Sequence, residues 1–254
     1  MANLEIGAGA TESLAERVCG LVQGLETPGL FQGLQVQIDL TNSQGRWELL
    51  VLGVLLAARV SEAVAETTCE ALRQNGLLDL GRMLQMREQD MHRLGEVLGA
   101  EYRGIVDRGK KAMALYENAQ RLHDVYGGDL NRLYEQSYAS REVVQALQEF
   151  RQIHTRARWV CRCMHEAGLW TSLSRSETLY CDAHVRRALV RLGLVDGTKA
   201  WAVVKEEIQS VVDRVFDGDT TCLYRLGRYK CLSSEACNPR CSLVDLCSYM
   251  QSGR

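Results

Sequence analysis

Proline is almost absent from this chain, with 2 in 254 residues, and aromatic residues make up only 6%. The first shortage excludes a Pro-rich spacer or a collagen-like rod, and the second leaves no material for the aromatic girdles of a porin-type barrel. A long apolar run is missing too. The most apolar stretch, Leu49 to Val60, is interrupted by Arg59 and flanked by Glu48 and Glu62, short of the roughly 20 residues that cross a bilayer. The opening Met1-Ala2-Asn3-Leu4-Glu5 carries an acid where a secretory leader carries Lys or Arg. These features predict a cytoplasmic protein with no membrane partner. Nor is there a strong charge of one sign: the formal net charge is −2, so a polyanion would have to be held by locally concentrated Lys and Arg.

What is present suits a globular chain. Hydrophobic residues make up 46% and charged residues 24%, and the length allows one large domain or two small lobes. Apolar residues recur at three- and four-residue intervals over Trp47 to Leu56, Ala63 to Leu72, Arg141 to Phe150 and Val203 to Phe216, which predicts helices. Asn75-Gly76, Gly127-Gly128-Asp129 and the stretch from Gly193 to Gly197 mark helix ends and turns. Alternating β-branched runs are scarce and no solenoid repeat occurs. The predicted fold class is all-α, with two helical lobes plausible and no obvious tether between them.

Five of the ten cysteines fall in the last 33 residues, and Cys231, Cys237, Cys241 and Cys247 read C-x5-C-x3-C-x5-C. Four thiolates in so short a window suit an iron–sulfur cubane or a structural zinc. Zinc ribbons generally use C-x2-C knuckles and this window has none, so a 4Fe-4S cluster is favoured; the alternative is four unrelated buried thiols. In a reducing compartment the remaining cysteines predict no disulfide lattice, and Cys222 reads as a core thiol. Cys161, Cys163 and His165 look like a chelate, but helix positions two apart diverge by about 200°, which predicts core and surface residues instead.

The cysteine box sits in Gly227-Arg228-Tyr229-Lys230-Cys231 and Asp245-Leu246-Cys247, which resemble the carboxyl-terminal cluster loop of endonuclease III and its adenine-glycosylase relatives. The outer cysteines keep that family's spacing, while Cys237 stands one residue early. Trp47 to Arg59 is similar to the helix that opens the family's core and ends at a loop facing the lesion. Cys181-Asp182-Ala183-His184-Val185-Arg186-Arg187 is similar to the stretch that carries the catalytic aspartate. The resemblance covers roughly residues 45 to 250. It implies a helix-hairpin-helix DNA glycosylase with two lobes, 46–195 with the hairpin and aspartate, and 1–45 with 196–254 bearing the cluster, flanking a DNA-binding cleft. It also implies double-stranded DNA with a modified base as partner, bound by a monomer.

Within that resemblance Asp182 is the catalytic candidate, stabilising the positive charge that develops on the sugar as the base leaves; a lone aspartate is otherwise a helix cap or surface charge. Bifunctional relatives add a lysine upstream of the aspartate that attacks the sugar as an amine. No lysine lies between Lys111 and Lys199, and the matching position holds Arg156, whose guanidinium stays protonated. The resemblance therefore implies base release without strand cleavage. The family's Gly-x-Gly hairpin turn is replaced by Arg151-Gln152-Ile153-His154, so either the turn differs in shape or side chains such as Arg151 and Arg156 replace amide contacts to phosphate. From Arg151 to Arg191 eight arginines face three acids, a local excess that marks the candidate phosphate footprint; ordinary solvated helix faces would look the same. The expected DNA contacts are Arg151, His154, Arg156, Arg186, Arg187, Lys230 and Arg240, with Arg59 filling the gap left by an extruded base or standing as a surface residue. A catalytically silent DNA-binding relative and an iron–sulfur redox or interaction protein are the two competing readings.

Overall fold

Asn42 begins a deeply packed helix: its side chain accepts a hydrogen bond from the Gly45 amide, satisfying one of the donors that a helix start leaves unpaired. From Gly45 to Leu55 every residue except Glu48 is buried, so α2 (Ser43–Leu55) is a central helix with no solvent stripe. These features come from a computed structural model, which describes residues 8–23, 34, 36–57, 60–101, 108–137, 139–231, 241 and 243–251. In chain order the helices are α1 (Ala8–Gln23), α2, α3 (Glu62–Gln74), α4 (Leu80–Leu84), α5 (Glu88–Glu101), α6 (Arg108–Tyr126), α7 (Leu130–Gln136), α8 (Ser140–Gln148), α9 (Ala157–Glu166), α10 (Ala183–Arg191), α11 (Trp201–Phe216), α12 (Thr221–Arg225) and α13 (Ser248–Gln251). A 3₁₀ turn covers His154–Arg156 and a π-helical turn Leu226–Lys230. No strand occurs among the described residues, and none of their helices is long and apolar enough to cross a membrane.

The chain divides into two units, Leu34–Leu173 and the paired ends Met1–Gly33 with Ser174–Arg254. The boundaries thus fall at 33/34 and 173/174, where the sequence places them at 45/46 and 195/196. In the first unit α2 packs against α3, α6, α7 and α9. Gly53 makes room for the last of these: a Cβ there would meet Ile153 Cδ1 at 3.0 Å and Val160 Cγ2 at 3.5 Å. Arg46 ties α2 to the start of α7 through 2.7 Å bonds from Nε and Nη2 to the two oxygens of Asp129. Burial pushes the Asp129 carboxyl up, but the Arg46 hydrogen bond, the Asn131 amide and the nearby arginine charges hold it below the usual range. α9 is buried all round from Trp159 to Met164, so Cys161 and Cys163 both lie in the core. The expected split into core and surface positions is corrected here, because the helix is wrapped on both sides.

In the second unit α1 buries Leu14, Val18 and Val22 and packs on α11 and α12, while α10 packs on α12, the π turn and α13. Gly227 sets the closest approach: a Cβ there would stand 2.0 Å from the backbone oxygen of His184. α11 stops where Asp217 and Gly218 turn left-handed, at φ 49° and 71°.

Candidate functional site

The glycine-free stretch 151–154 lies between α8 and α9. Gln152 takes φ 62°, the left-handed conformation that glycine adopts most readily, so the turn keeps a glycine-type backbone without a glycine. Asn118, 1% exposed on α6, clamps it: Oδ1 accepts from the Arg151 amide at 2.7 Å and Nδ2 donates to the Arg151 carbonyl at 3.0 Å. The Arg151 side chain is exposed and pairs with Glu117 at 2.8 Å. His154 is exposed, and its carbonyl accepts from Gln148 Nε2 at 3.4 Å.

Arg156 turns inward, donating from Nη2 to the Leu56 carbonyl at 3.0 Å. Beside it the Lys111 ammonium, 2% exposed, donates to the carbonyls of Val54, Leu55 and Ala57 at 2.6, 3.2 and 3.4 Å. Two cations therefore close the carbonyl end of α2, where the helix dipole is negative. Burial, with a smaller contribution from the Arg156 charge, pushes the Lys111 amine down to about 8. Sequence reasoning missed Lys111 and Asn118. Their signal is positional: they fall on the same α6 stripe as Leu115 and Leu122, where periodicity calls for apolar side chains.

Asp182 is the N-cap of α10. Its Oδ1 accepts from the His184 amide at 2.9 Å and the Val185 amide at 3.0 Å, while Oδ2 makes no hydrogen bond among the described residues. The carboxylate is thus held by one oxygen at a helix start, with the dipole's positive end behind it. Arg186 and Arg187 are spent on carbonyls: Arg186 Nη2 donates to Gly197 and Lys199 at 3.2 and 2.8 Å, and Arg187 Nη2 donates to Gly227 at 2.7 Å and meets His184 Nδ1 at 2.8 Å. Their charge remains, but their donors stitch α10 to its neighbours. Lys230 ends the π turn, exposed.

Of the cysteine box, Cys231 and Cys241 are half-buried and Cys247 is buried, all three in one unit. The Cys247 thiol lies 3.4 Å from the Arg191 carbonyl, which it donates to. Cys237 and Arg240, like Arg59, lie outside the described residues. Among the described residues no group of three or more His, Cys, Asp or Glu is gathered as a metal site. The donor chemistry itself fits: cysteine thiols at both ends of the 231–247 segment are what a four-iron cluster takes as thiolates. Cys222 departs from the expected core thiol, because its sulfur is joined to that of Cys19. An open groove of about 710 Å³ between Val36 and α3, lined by Glu66, Glu70 and Arg73, holds none of the predicted site residues. Compared with known proteins, the chain matches no protein-family model and no curated protein.

Proposed function

We propose that the chain is a monofunctional DNA glycosylase that removes a damaged or modified base in base excision repair, with a structural 4Fe-4S cluster at Cys231, Cys237, Cys241 and Cys247. The observation that carries this reading is the division of labour in Asp182, whose Oδ1 is fixed by two amides while Oδ2 makes no hydrogen bond among the described residues. A carboxylate locked in this way keeps an oxygen for a sugar that turns cationic as its base departs, and it needs no reorganisation at that moment. Arg156 supports the absence of lyase chemistry. Its guanidinium is bound to the Leu56 carbonyl and offers no neutral amine for a Schiff base. A cluster bound at the four cysteines would supply cross-linking of a segment with little core of its own.

The test uses duplexes carrying different modified bases, with alkali to reveal abasic product. Wild type should release a base from one of them without nicking the strand, and borohydride should trap no adduct. Asp182→Asn should fold and bind DNA normally, since Asn caps a helix as well as Asp, yet lose base release by at least about a hundredfold, the usual scale for removing an electrostatic stabiliser. Unchanged release would remove Asp182 from the mechanism, and a trapped adduct would refute the monofunctional reading. DNA binding with no base released favours the silent relative. No DNA binding at all favours the iron–sulfur redox or interaction protein.

A further inference from the structure

The cysteines sort into three kinds. Cys69, Cys161 and Cys163 are buried and Cys181 is half-buried, and burial pushes their thiols up, to about 12 for Cys69, Cys161 and Cys181 and well above the ordinary value for Cys163. Thiols held protonated are poor nucleophiles. The four of the box share one short segment. Cys19 on α1 and Cys222 on α12 remain, each half-buried, joined through their sulfurs with Cα atoms 5.1 Å apart and a separation of 203 positions in sequence. Two residues before Cys19, Arg17 forms a bidentate pair with Asp245, at 3.0 Å from Nη1 to Oδ2 and 2.7 Å from Nη2 to Oδ1. α1 is thereby tied to Cys222, which precedes the cysteine box, and to Asp245, which lies inside it just before Cys247.

We infer that Cys19 and Cys222 form a thiol–disulfide exchange site whose oxidation latches α1 onto α12 beside the cysteine box, its reactants being small disulfides of the glutathione class and the thiols that reverse them. One cysteine thiolate attacks a sulfur of the oxidant RSSR, forming a mixed disulfide and expelling RS⁻. The second thiolate attacks the protein sulfur of that mixed disulfide, closing the Cys19–Cys222 bond and expelling the second RS⁻. The two protein thiols lose two electrons and two protons, and the oxidant leaves as two RSH. Partial exposure admits the reagent to this pair. In the reduced state α1 keeps the Arg17–Asp245 pair and the packing of Leu14, Val18 and Val22, so opening the bond loosens the helix without discarding its contacts.

The inference stands apart from DNA chemistry and is tested without it. The whole protein is equilibrated without oxygen across a series of reduced-to-oxidised glutathione ratios, quenched in acid, alkylated and mapped by peptide mass spectrometry. A linked Cys19–Cys222 peptide should appear at oxidising ratios and vanish at reducing ones with one two-electron midpoint, while Cys69, Cys161 and Cys163 do not respond. Both cysteines alkylated at every ratio, a link that survives every ratio, or either cysteine joined to a different partner would overturn the exchange site. The latch is read by hydrogen exchange of α1 amides, expected to be at least tenfold slower in the oxidised protein. Cys222→Ser should show the fast rate at all ratios; if that variant does not fold, the wild-type comparison alone decides. Equal α1 exchange in the oxidised and reduced protein overturns the latch.

Discussion

A methyl group on Gly227 would meet the backbone oxygen of His184 at 2.0 Å, its carbonyl carbon at 2.5 Å and its Cα at 3.0 Å. None of these atoms is the end of a flexible side chain, so the π turn and the start of α10 would have to part. Arg187 spans the same junction through the Gly227 carbonyl. Gly227→Ala should therefore destabilise by about 3 kcal/mol or more, read as a fall in the urea midpoint, and it should disturb the Asp182 cap one turn away. Lys111 is governed by a proton instead of a clash. Below pH 8 its amine is charged in the folded and the unfolded chain alike, and it contributes no pH dependence. Between about 8, its folded value, and the ordinary 10.5, the unfolded chain holds a proton that the folded chain has released, so stability rises with pH. Comparing unfolding free energies at pH 7.5 and 9.5, wild type should gain about 2 kcal/mol over Lys111→Met. An equal change in both proteins would show that the amine titrates normally. Neither role was legible by residue type, since Gly227 reads as motif and Lys111 only bounds the lysine-free interval; their roles rest on partners 43 and 57 residues away in the chain.

The α8–turn–α9 element shows what periodicity reaches and what it does not. α8 was expected from the apolar spacing of Arg141 to Phe150, and the turn from its place in a family pattern, whereas α9 was not among the periodic segments. The absence of glycine leaves the shape of the turn open in sequence. The answer lies in Asn118, a buried side chain on α6 that holds both polar groups of the Arg151 backbone and so enforces a left-handed Gln152. For a residue with a Cβ that conformation costs about 1–2 kcal/mol. Gln152→Gly removes the strain but frees the unfolded chain by roughly 0.5–1 kcal/mol, so it should be neutral or stabilise by up to about 1 kcal/mol. Gln152→Val, β-branched at the same φ, should lose about 2 kcal/mol. Thermal unfolding of the pair checks this, and a Val variant as stable as Gly would mean that the turn is not left-handed in solution. α9 carries the same lesson in a different form. Its cysteines were legible as poor chelators from angular spacing, yet the burial of both comes from neighbours that spacing does not show. The α10 residues were legible as part of the basic segment from Arg151 to Arg191, whereas the diversion of Arg186 and Arg187 to carbonyls at 197, 199 and 227 was not.

At the scale of the molecule, the two units differ in how chain continuity relates to packing. Leu34–Leu173 is one uninterrupted stretch with its own core around Trp47, Phe150 and Trp159 and its own central helix. The other unit is assembled from the two ends of the chain: α1 supplies Leu14, Val18 and Val22, the partner of Asp245 and one half of the Cys19–Cys222 bond, while 174–254 supplies the rest. Sequence placed its boundary at 195/196 because the family pattern groups the aspartate with the hairpin; α10 instead packs on α12, the π turn and α13, and so belongs with the cysteine box. A disulfide partner 203 residues away is beyond any local signal. Autonomy should follow this division. A fragment of residues 34–173 should fold alone, with helical circular dichroism and a cooperative thermal transition, because every element its core uses lies within it. A fragment of residues 174–254 should lack such a transition, since α11 and α12 would expose the apolar surface that α1 covers. Adding a peptide of residues 1–33 under oxidising conditions should restore cooperative folding to it and link Cys19 to Cys222, whereas the same peptide with Cys19→Ser and Arg17→Ala should restore little. Cooperative unfolding of 174–254 on its own would show that α1 is an accessory to this unit, and failure of 34–173 to fold would show that the first unit depends on the chain's two ends.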